Sequence, residues 1–439
     1  MQVWRIALLS MVASGLSACG SAITGSVVTT TTPAASQAAA PTFSVAGGTY
    51  TAAQTVTIST TTTGAAIHYT TDGSTPTSSS TAYSIPVNIA ASMTLKAITT
   101  ATGYSASSVT SATYTINLGS SSDGGNTLPT PPGSGVSKPS GAAGGLKVLD
   151  WAGFKAAITY TFDDSIPSQI SNYSLLQSTG ERMTFFLIGA GDQSSPAWAQ
   201  AAKDGHELGN HTEHHCKADG TECSAGAWAG SVEAEYDLCT EHIEKAYGVS
   251  SVWTTASPYG DTGYGSVAQT RFFLNRGVWG GQIAPNDSSD SYNLPVYVAA
   301  AGDTASIFNT YIDSAHSLGK WQILLIHSLG GDGGYAPVNV EEVLASINYA
   351  KSAGDIWIDS MVNVGAYWAG QKAVTNATTT KSGSNIKVTW TLPAHFPPGK
   401  YVRGTVTGGA LKQGGVDLPW NDAGYYEVAL DPGSLTIAP

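Results

Sequence analysis

Ala156-Ala157-Ile158-Thr159-Tyr160-Thr161-Phe162 is a run of small, β-branched and aromatic residues that stops abruptly at Asp163-Asp164. Such a run reads as a buried strand. Successive strand residues face opposite ways, so both carboxylates can serve one site only where the strand gives way to a loop. Further along, Gly209-Asn210-His211-Thr212-Glu213-His214-His215 supplies imidazoles at His211 and His215, four residues apart after a Gly-Asn break. That spacing fits one helical face or a tight loop, and His214 is the rival of His215. One carboxylate and two imidazoles make a three-ligand metal site with positions left open for water and substrate, as in catalytic zinc sites. The other carboxylate is then free to act as a base on that water. A zinc-protease reading needs Glu directly after the first histidine, and Thr212 stands there instead.

Around these residues strand and helix patterns alternate, which implies an α/β domain. Met183–Ile188 and Trp321–Ile326 read as further strands. Pro196–Lys203, Ser231–Ala246, Ile307–Leu318 and Val340–Ala353 read as helices, the last with Val340, Val343, Leu344, Ile347 and Ala350 on one face. His327 directly follows the apolar Trp321–Ile326 run. A lone histidine there is a core residue by default. At the end of an apolar strand, beside the other motifs, it becomes a candidate proton donor.

Together these residues resemble the motifs of the polysaccharide deacetylases, the NodB-type carbohydrate esterases of family four. Thr161-Phe162-Asp163-Asp164 is similar to the first motif, T-F-D-D, and His211–His215 to the second, H-[ST]-x-x-H. Pro258-Tyr259-Gly260 is similar to the core of the third, and Leu324-Leu325-Ile326-His327 to the fifth. The resemblance covers about residues 147–370. It implies an irregular (β/α) barrel with fewer than eight repeats and chemistry at the carboxyl ends of the strands. It also implies Asp163 as catalytic base, and Asp164, His211 and His215 as ligands of one divalent metal, expected to be zinc. His327 becomes the acid and the Tyr259 backbone N–H an oxyanion donor, with Pro258 and Trp279 on the substrate side. The family's third-motif arginine falls at Ala256, a departure for which Arg276 is the candidate replacement. The fourth-motif aspartate is not evident near Trp279, and Asp359 is the candidate partner of His327.

The rest of the chain divides by composition. Residues 1–19 combine Arg5, the apolar Ile6–Leu16 and Leu16-Ser17-Ala18-Cys19-Gly20, which resembles a bacterial lipobox. It implies an exported lipoprotein of the cell envelope, held to a membrane by lipid on Cys19. Residues 20–40 read as a tether and 117–145 as a Gly/Ser/Pro linker. Between them, 41–116 reads as a small β-sandwich: Thr55–Ser59 and Met93–Ile98 alternate with period two. Its Ile67–Thr77 stretch resembles the chitobiase/hexosaminidase carboxy-terminal-type module, an immunoglobulin-like accessory domain. A spacer is the expectation, because Tyr69, Tyr83, Tyr104 and Tyr114 can all be assigned to a core. Residues 146–371 form the deacetylase-like domain, and 372–439 a small β-rich extension carrying Ile386–Thr391, Tyr401–Val406 and Tyr425–Leu430.

Composition bounds the partners. Charged residues make up 11%, against about 25% in an average domain. The net charge of −12, with no basic cluster, argues against a nucleic-acid partner. In an oxidising compartment a disulfide is expected among Cys216, Cys223 and Cys239. Cys216 with Cys223 would staple the loop after the histidines. The expected activity is metal-dependent removal of acetyl groups from a polysaccharide. The favoured substrate is a β-linked N-acetylglucosamine polymer: chitin-like, an exopolysaccharide or peptidoglycan. The alternatives are an O-acetyl xylan esterase on the same fold and a catalytically weak carbohydrate-binding lipoprotein. Trp279, Tyr259 and Trp357 are the residues that would offer apolar faces to sugar rings.

Overall fold

The structure, a computed structural model, describes residues 36–50, 54–71, 73–89, 93–116, 128–192 and 194–439. The lipobox with Cys19, most of the tether and the first part of the linker lie outside the described residues, as does Asp72 of the module's turn.

The deacetylase-like domain is built on parallel strands: β1 Ala156–Phe162, β2 Thr184–Leu187, β3 Glu207–Asn210, β4 Thr254–Ala256, β5 Leu274–Arg276, β6 Tyr297–Val298, β7 Trp321–Ile326 and β8 Ile356–Ile358. Their order is β5-β4-β3-β2-β1-β7-β6. Strand β8 pairs with the first half of β1, and β2 pairs with Thr161 and Phe162 at its end. β1 and β7 are buried throughout, which is why both read as unbroken apolar runs. Their side chains still alternate. Ile158, Tyr160 and Phe162 enter the apolar layer under the helices, whereas Ala157 joins Phe186, Ala256 and Leu274 in a second cluster. Asp163 continues the alternation onto the side of Ala157.

The helices are α1 Pro167–Gln177, α2 Pro196–Lys203, α3 Val232–Tyr247, α4 Ala305–Leu318, α5 Val340–Ser352 and α6 Met361–Thr375. Ser195 and Ser231 cap α2 and α3 through their hydroxyls, and left-handed Gly248 and Gly319 end α3 and α4. After β4 come two 3-10 turns, Pro258–Gly260 and Thr262–Tyr264, and a single α-helical turn, Gly265–Ala268, and no helix separates β5 from β6. There the chain crosses the gap instead, bridging Arg276 to Leu294 and Ile283 to Trp321. The barrel is therefore irregular, with fewer than eight β–α repeats. Helix α6 closes the amino end. Its first N–H groups donate to Thr184 Oγ1 and to Glu207 Oε2, residues that open β2 and β3. Glu207 also accepts from Thr184 and Thr254, so one buried carboxylate joins three strands and a helix.

The C-terminal strands are packed, not separate. Tyr401–Val406 pairs with Leu146–Val148, just ahead of β1. Trp390, Val402, Leu411 and Leu430 share one apolar cluster with Trp321, Trp357 and Trp368. The described part of the linker is tied down as well, unlike the free chain its composition suggests. Buried Arg403 donates to the carbonyls of Leu128 and Pro129, and Ser134 N donates to Ala423 O. The partners lie up to 289 residues apart, beyond the reach of any local pattern.

The N-terminal module has a five-stranded sheet and two short ladders around Val56, Ile58, Ile89, Leu95 and Tyr114. Tyr69 and Tyr83 are partly buried against that core and meet each other edge to face. Tyr104 does not; it is exposed. Among the described residues, no helix is long and apolar enough to cross a membrane.

Candidate active site

The two carboxylates reach one place because the strand ends between them. Asp163 N still donates to Ile326 O, so Asp163 belongs to the sheet. Asp164 and Ser165 then turn with φ of +76° and +52°. That left-handed geometry is costly for residues with a Cβ and is held only where surroundings impose it. The Ser165 hydroxyl supplies one such restraint by accepting from Ile188 N at 2.8 Å.

The histidines lie on a tight loop after β3, not on a helix. Thr212 and His215 both have positive φ. Asn210 Oδ1 accepts from Thr212 N, and Thr212 Oγ1 accepts from His215 N. His211 Nδ1 donates to Ala256 O at 2.9 Å, and His215 Nδ1 lies 3.1 Å from Ser224 Oγ. Both rings thus turn Nε2 toward Asp164 Oδ1, at 3.3 Å and 3.5 Å. His214 points elsewhere: its Nδ1 and backbone N both bond the buried Glu235 carboxylate of α3. Of the rivals His214 and His215, it is His215 whose Nε2 faces Asp164.

Asp164, His211 and His215 can offer three ligand atoms within 4.8 Å of one another. Two observations test the fit to a cation. Asp164 Oδ1 is buried without a hydrogen-bond partner. Burial pushes the Asp164 carboxyl up, yet the surrounding imidazoles hold it well below the usual range. Burial likewise pushes His211 down, but Asp163 and Asp164 outweigh it and hold the ring above its ordinary pKa. His215, desolvated and beside His211, is pushed down to about 4. The donor set therefore favours positive charge at its centre, with two imidazole lone pairs and one carboxylate oxygen facing it.

Asp163 is buried and paired. The Arg276 guanidinium donates to its Oδ2, while Oδ1 has no partner. Arg276 stands beside Ala256 in the β4–β5 register, its guanidinium over the Phe186 ring at 5.2 Å. The guanidinium that pairs with Asp163 thus comes from the strand next to Ala256. His327 follows β7 across the site. Burial pushes its ring below the ordinary value, with Asp163 and Asp164 pulling the other way. Asp359 is not its partner: Arg182, just before β2, binds that carboxylate through Nε at 2.7 Å. Trp357 is also no platform. It is buried, and its Nε1 donates to Asp359.

Tyr259 has φ +57° and lays its ring over His215 at 4.6 Å, with its hydroxyl donating to Glu222 O. Pro258, just before it, is buried. Trp279 is exposed on the loop after β5. Three contributors escaped the sequence reading. Gln169 of α1 is buried and donates from one Nε2 to the carbonyls of both Asp163 and His327. Tyr335 is 67% exposed, edge-on to His327 at 4.9 Å. It sits at the end of a Gly-rich loop knotted by Asp332, which accepts from Ser168 N, Ser328 Oγ and Gly334 N. Ser224 is the third. The Gly-rich loop was visible in the sequence; the other two are placed only by the fold.

Residues 153–271 match the family model for polysaccharide deacetylases, and residues 45–111 that for the chitobiase/β-hexosaminidase C-terminal domain. An endoglucanase of Clostridium saccharobutylicum is 62% identical over 45 residues, 10% of either chain. The chain spans about a tenth or less of the length of the curated relatives it matches. Among solved structures, a T48 deacetylase with substrate aligns over 50% of this chain and 94% of its own, with 19% identity and a TM-score of 0.36. The peptidoglycan deacetylase PdaC from Bacillus subtilis aligns over 48% and 90%, with 22% identity and a TM-score of 0.32. The chain therefore carries, over residues 153–271, a domain that matches the polysaccharide deacetylases, behind a chitobiase/β-hexosaminidase C-terminal-type module over residues 45–111.

Proposed function

We propose that this protein hydrolyses acetyl groups from a polysaccharide in a metal-dependent reaction, acting on N-acetyl groups of a β-linked N-acetylglucosamine polymer. The observation that carries the reading is one cluster: Asp164, His211 and His215 converge, with the Asp163–Arg276 pair beside them. Asp164, His211 and His215 would hold one divalent cation, zinc by its affinity for nitrogen and carboxylate ligands. Such an ion supplies Lewis-acid polarisation and lowers the pKa of water at the site.

The protein's residues carry the protons. Asp163, oriented by Arg276, accepts a proton from water as its oxygen bonds to the acetyl carbon. The Tyr259 N–H, by family resemblance, donates to the oxyanion that forms. As the carbon–nitrogen bond breaks, His327 gives a proton to the leaving nitrogen, and acetate and a free amine result. The rings of Tyr259 and Tyr335 stand beside His215 and His327, where they can face sugar rings. Support for the glucosamine polymer is the family's substrate class together with the chitobiase-type module. The lipobox at Cys19 supports an envelope-anchored enzyme. Replacing Cys19 with Ser should then shift the protein from the membrane to the soluble exported fraction.

The test is acetate release from chitooligosaccharides and from acetylated xylan, side by side, with chelator and after zinc is restored. Zinc-dependent release from the chitooligosaccharides is expected. Release from xylan alone would make this an O-acetyl esterase, and release from neither would leave a carbohydrate-binding lipoprotein.

A further inference from the structure

His215 is held from one side by a short loop whose ends are joined. Cys216, its immediate neighbour, forms a disulfide with Cys223. The chain then folds straight back over the histidine. Ser224 Oγ meets His215 Nδ1, and Ser224 N donates to His215 O at 3.3 Å. Ala225 N donates to His214 O at 3.1 Å. Glu222 O, inside the loop, accepts the Tyr259 hydroxyl at 2.6 Å and so fixes the ring that covers His215. Cys216 O accepts from Tyr264 OH at 2.7 Å.

Outside these contacts the segment is held mainly at its first residues, where Ala218 packs against the core and its N–H donates to Asp261 Oδ2 at 2.9 Å, and Lys217 Nζ lies 5.9 Å from the Tyr259 ring centroid. Of residues 216–224, only Cys216 is buried; Asp219, Thr221, Glu222 and Ser224 are exposed. Apolar packing therefore does not place Ser224 beneath the ring, and an exposed loop without a cross-link opens readily. His215 itself has φ +51°, a conformation it keeps only while its neighbours enforce it. The group bonded to a ligand histidine's second nitrogen fixes ring orientation and tautomer, and its loss commonly costs about 10- to 100-fold in metal affinity.

We infer that the Cys216–Cys223 disulfide is a positioning element for His215, acting through Ser224 and Tyr259, so that tight cation binding requires the closed loop. This rests on the metal-site reading above. It gives the disulfide a task at the site beyond general stability, and it ties metal retention to the oxidation state of one cysteine pair.

The experiment measures zinc and cobalt(II) affinity of the full chain by chelator competition, with the cobalt d–d absorption spectrum as second readout. The variants are Cys216→Ala/Cys223→Ala, Ser224→Ala and Ser224→Thr, with Asp164→Ala as the site-less control. Alanine rather than serine is used so that no thiol or hydroxyl can substitute as a ligand. The double variant should still take up one equivalent, but at least about tenfold more weakly and with altered d–d bands. Ser224→Ala, which leaves the disulfide intact, should move in the same direction, and Ser224→Thr should restore the native affinity. If the double variant fails to fold, the serine pair alone decides. Native affinity and spectrum in the Cys216→Ala/Cys223→Ala and Ser224→Ala proteins would overturn the inference. Equal, negligible binding by the unaltered chain and the Asp164→Ala control would instead remove the metal site itself, and this inference with it.

Discussion

Arg276 shows how one charge can be supplied from either of two strands. Ala256 and Arg276 are register partners, both buried, and only Arg276 reaches Asp163. Removing one member of a buried ion pair leaves the other charge uncompensated, a cost of about 3–5 kcal/mol. Arg276→Ala should therefore lower both thermal stability and turnover, the latter by about a hundredfold. Adding Ala256→Arg in that background should recover part of the turnover, measured as initial acetate release. No recovery in a folded double variant would show that Asp163 needs its brace from β5 alone. The proton carriers and the ligands should separate by a second measurement. Asp163→Asn and His327→Ala should retain metal while turnover falls about a hundredfold or more. Asp164→Ala, His211→Ala and His215→Ala should lose metal, read by atomic absorption. The aspartates and histidines were legible because motif and spacing are local. Arg276 could be named as a candidate, but its contact with Asp163 depends on strand register that no local pattern gives, and Asp359 was misread because its partner Arg182 lies at the opposite end of β2.

The site depends on how strand ends are fastened to the elements around them. Gln169 joins β1 and β7 at the carbonyls of Asp163 and His327, the proposed base and acid. Its isostere Glu would present oxygens to both carbonyls, so Gln169→Glu should cut turnover more than it lowers the melting temperature, and Gln169→Leu should do the same more mildly. Parallel effects in the two measurements would make Gln169 a purely structural residue. Away from the site, His206 fastens β2 to α1: Nδ1 accepts from Met183 N at 3.0 Å, and Nε2 donates to Gln177 Oε1. Burial pushes this histidine down to about 4. The unfolded chain binds its proton near the ordinary value, so His206 contributes stability above about pH 6.5 that is lost as pH falls toward about 4. The slope across that window is at most about 1.4 kcal/mol per pH unit. Urea midpoints measured from pH 7 to 4 should flatten in His206→Gln, and an unchanged slope would assign the acid sensitivity to other groups. At this scale the long apolar strands and amphipathic helices were legible, whereas α6 was not. It is buried on nearly every side, and a helix buried all round shows no polar face from which periodicity can be read.

Across the whole molecule, the two flanking β regions differ in how they relate to the barrel. The C-terminal strands share an apolar cluster with Trp321, Trp357 and Trp368, and Arg403 stitches them to Leu128 and Pro129. Gly370 of α6 packs against Leu430 and Val402 so closely that a Cβ there would meet Leu430 at 2.4 Å. The N-terminal module instead has its own small core around Val56, Leu95 and Tyr114. A chain cut before the C-terminal strands would expose large aromatic side chains of the barrel, and each buried aromatic left in water costs about 1.5–3 kcal/mol. That loss is comparable to the whole stability of a domain, about 5–15 kcal/mol. The chain ending at residue 376 should therefore be insoluble or unfolded, although every proposed catalytic residue precedes the cut. The chain beginning at residue 128 should fold, bind zinc and release acetate from soluble chitooligosaccharides at the rate of the full chain. Any difference between those two should appear only on insoluble polymer, where an accessory module that binds glycan raises the effective concentration of substrate. A soluble, active protein lacking residues 377–439 would show that the shared cluster is an interface between two independent units.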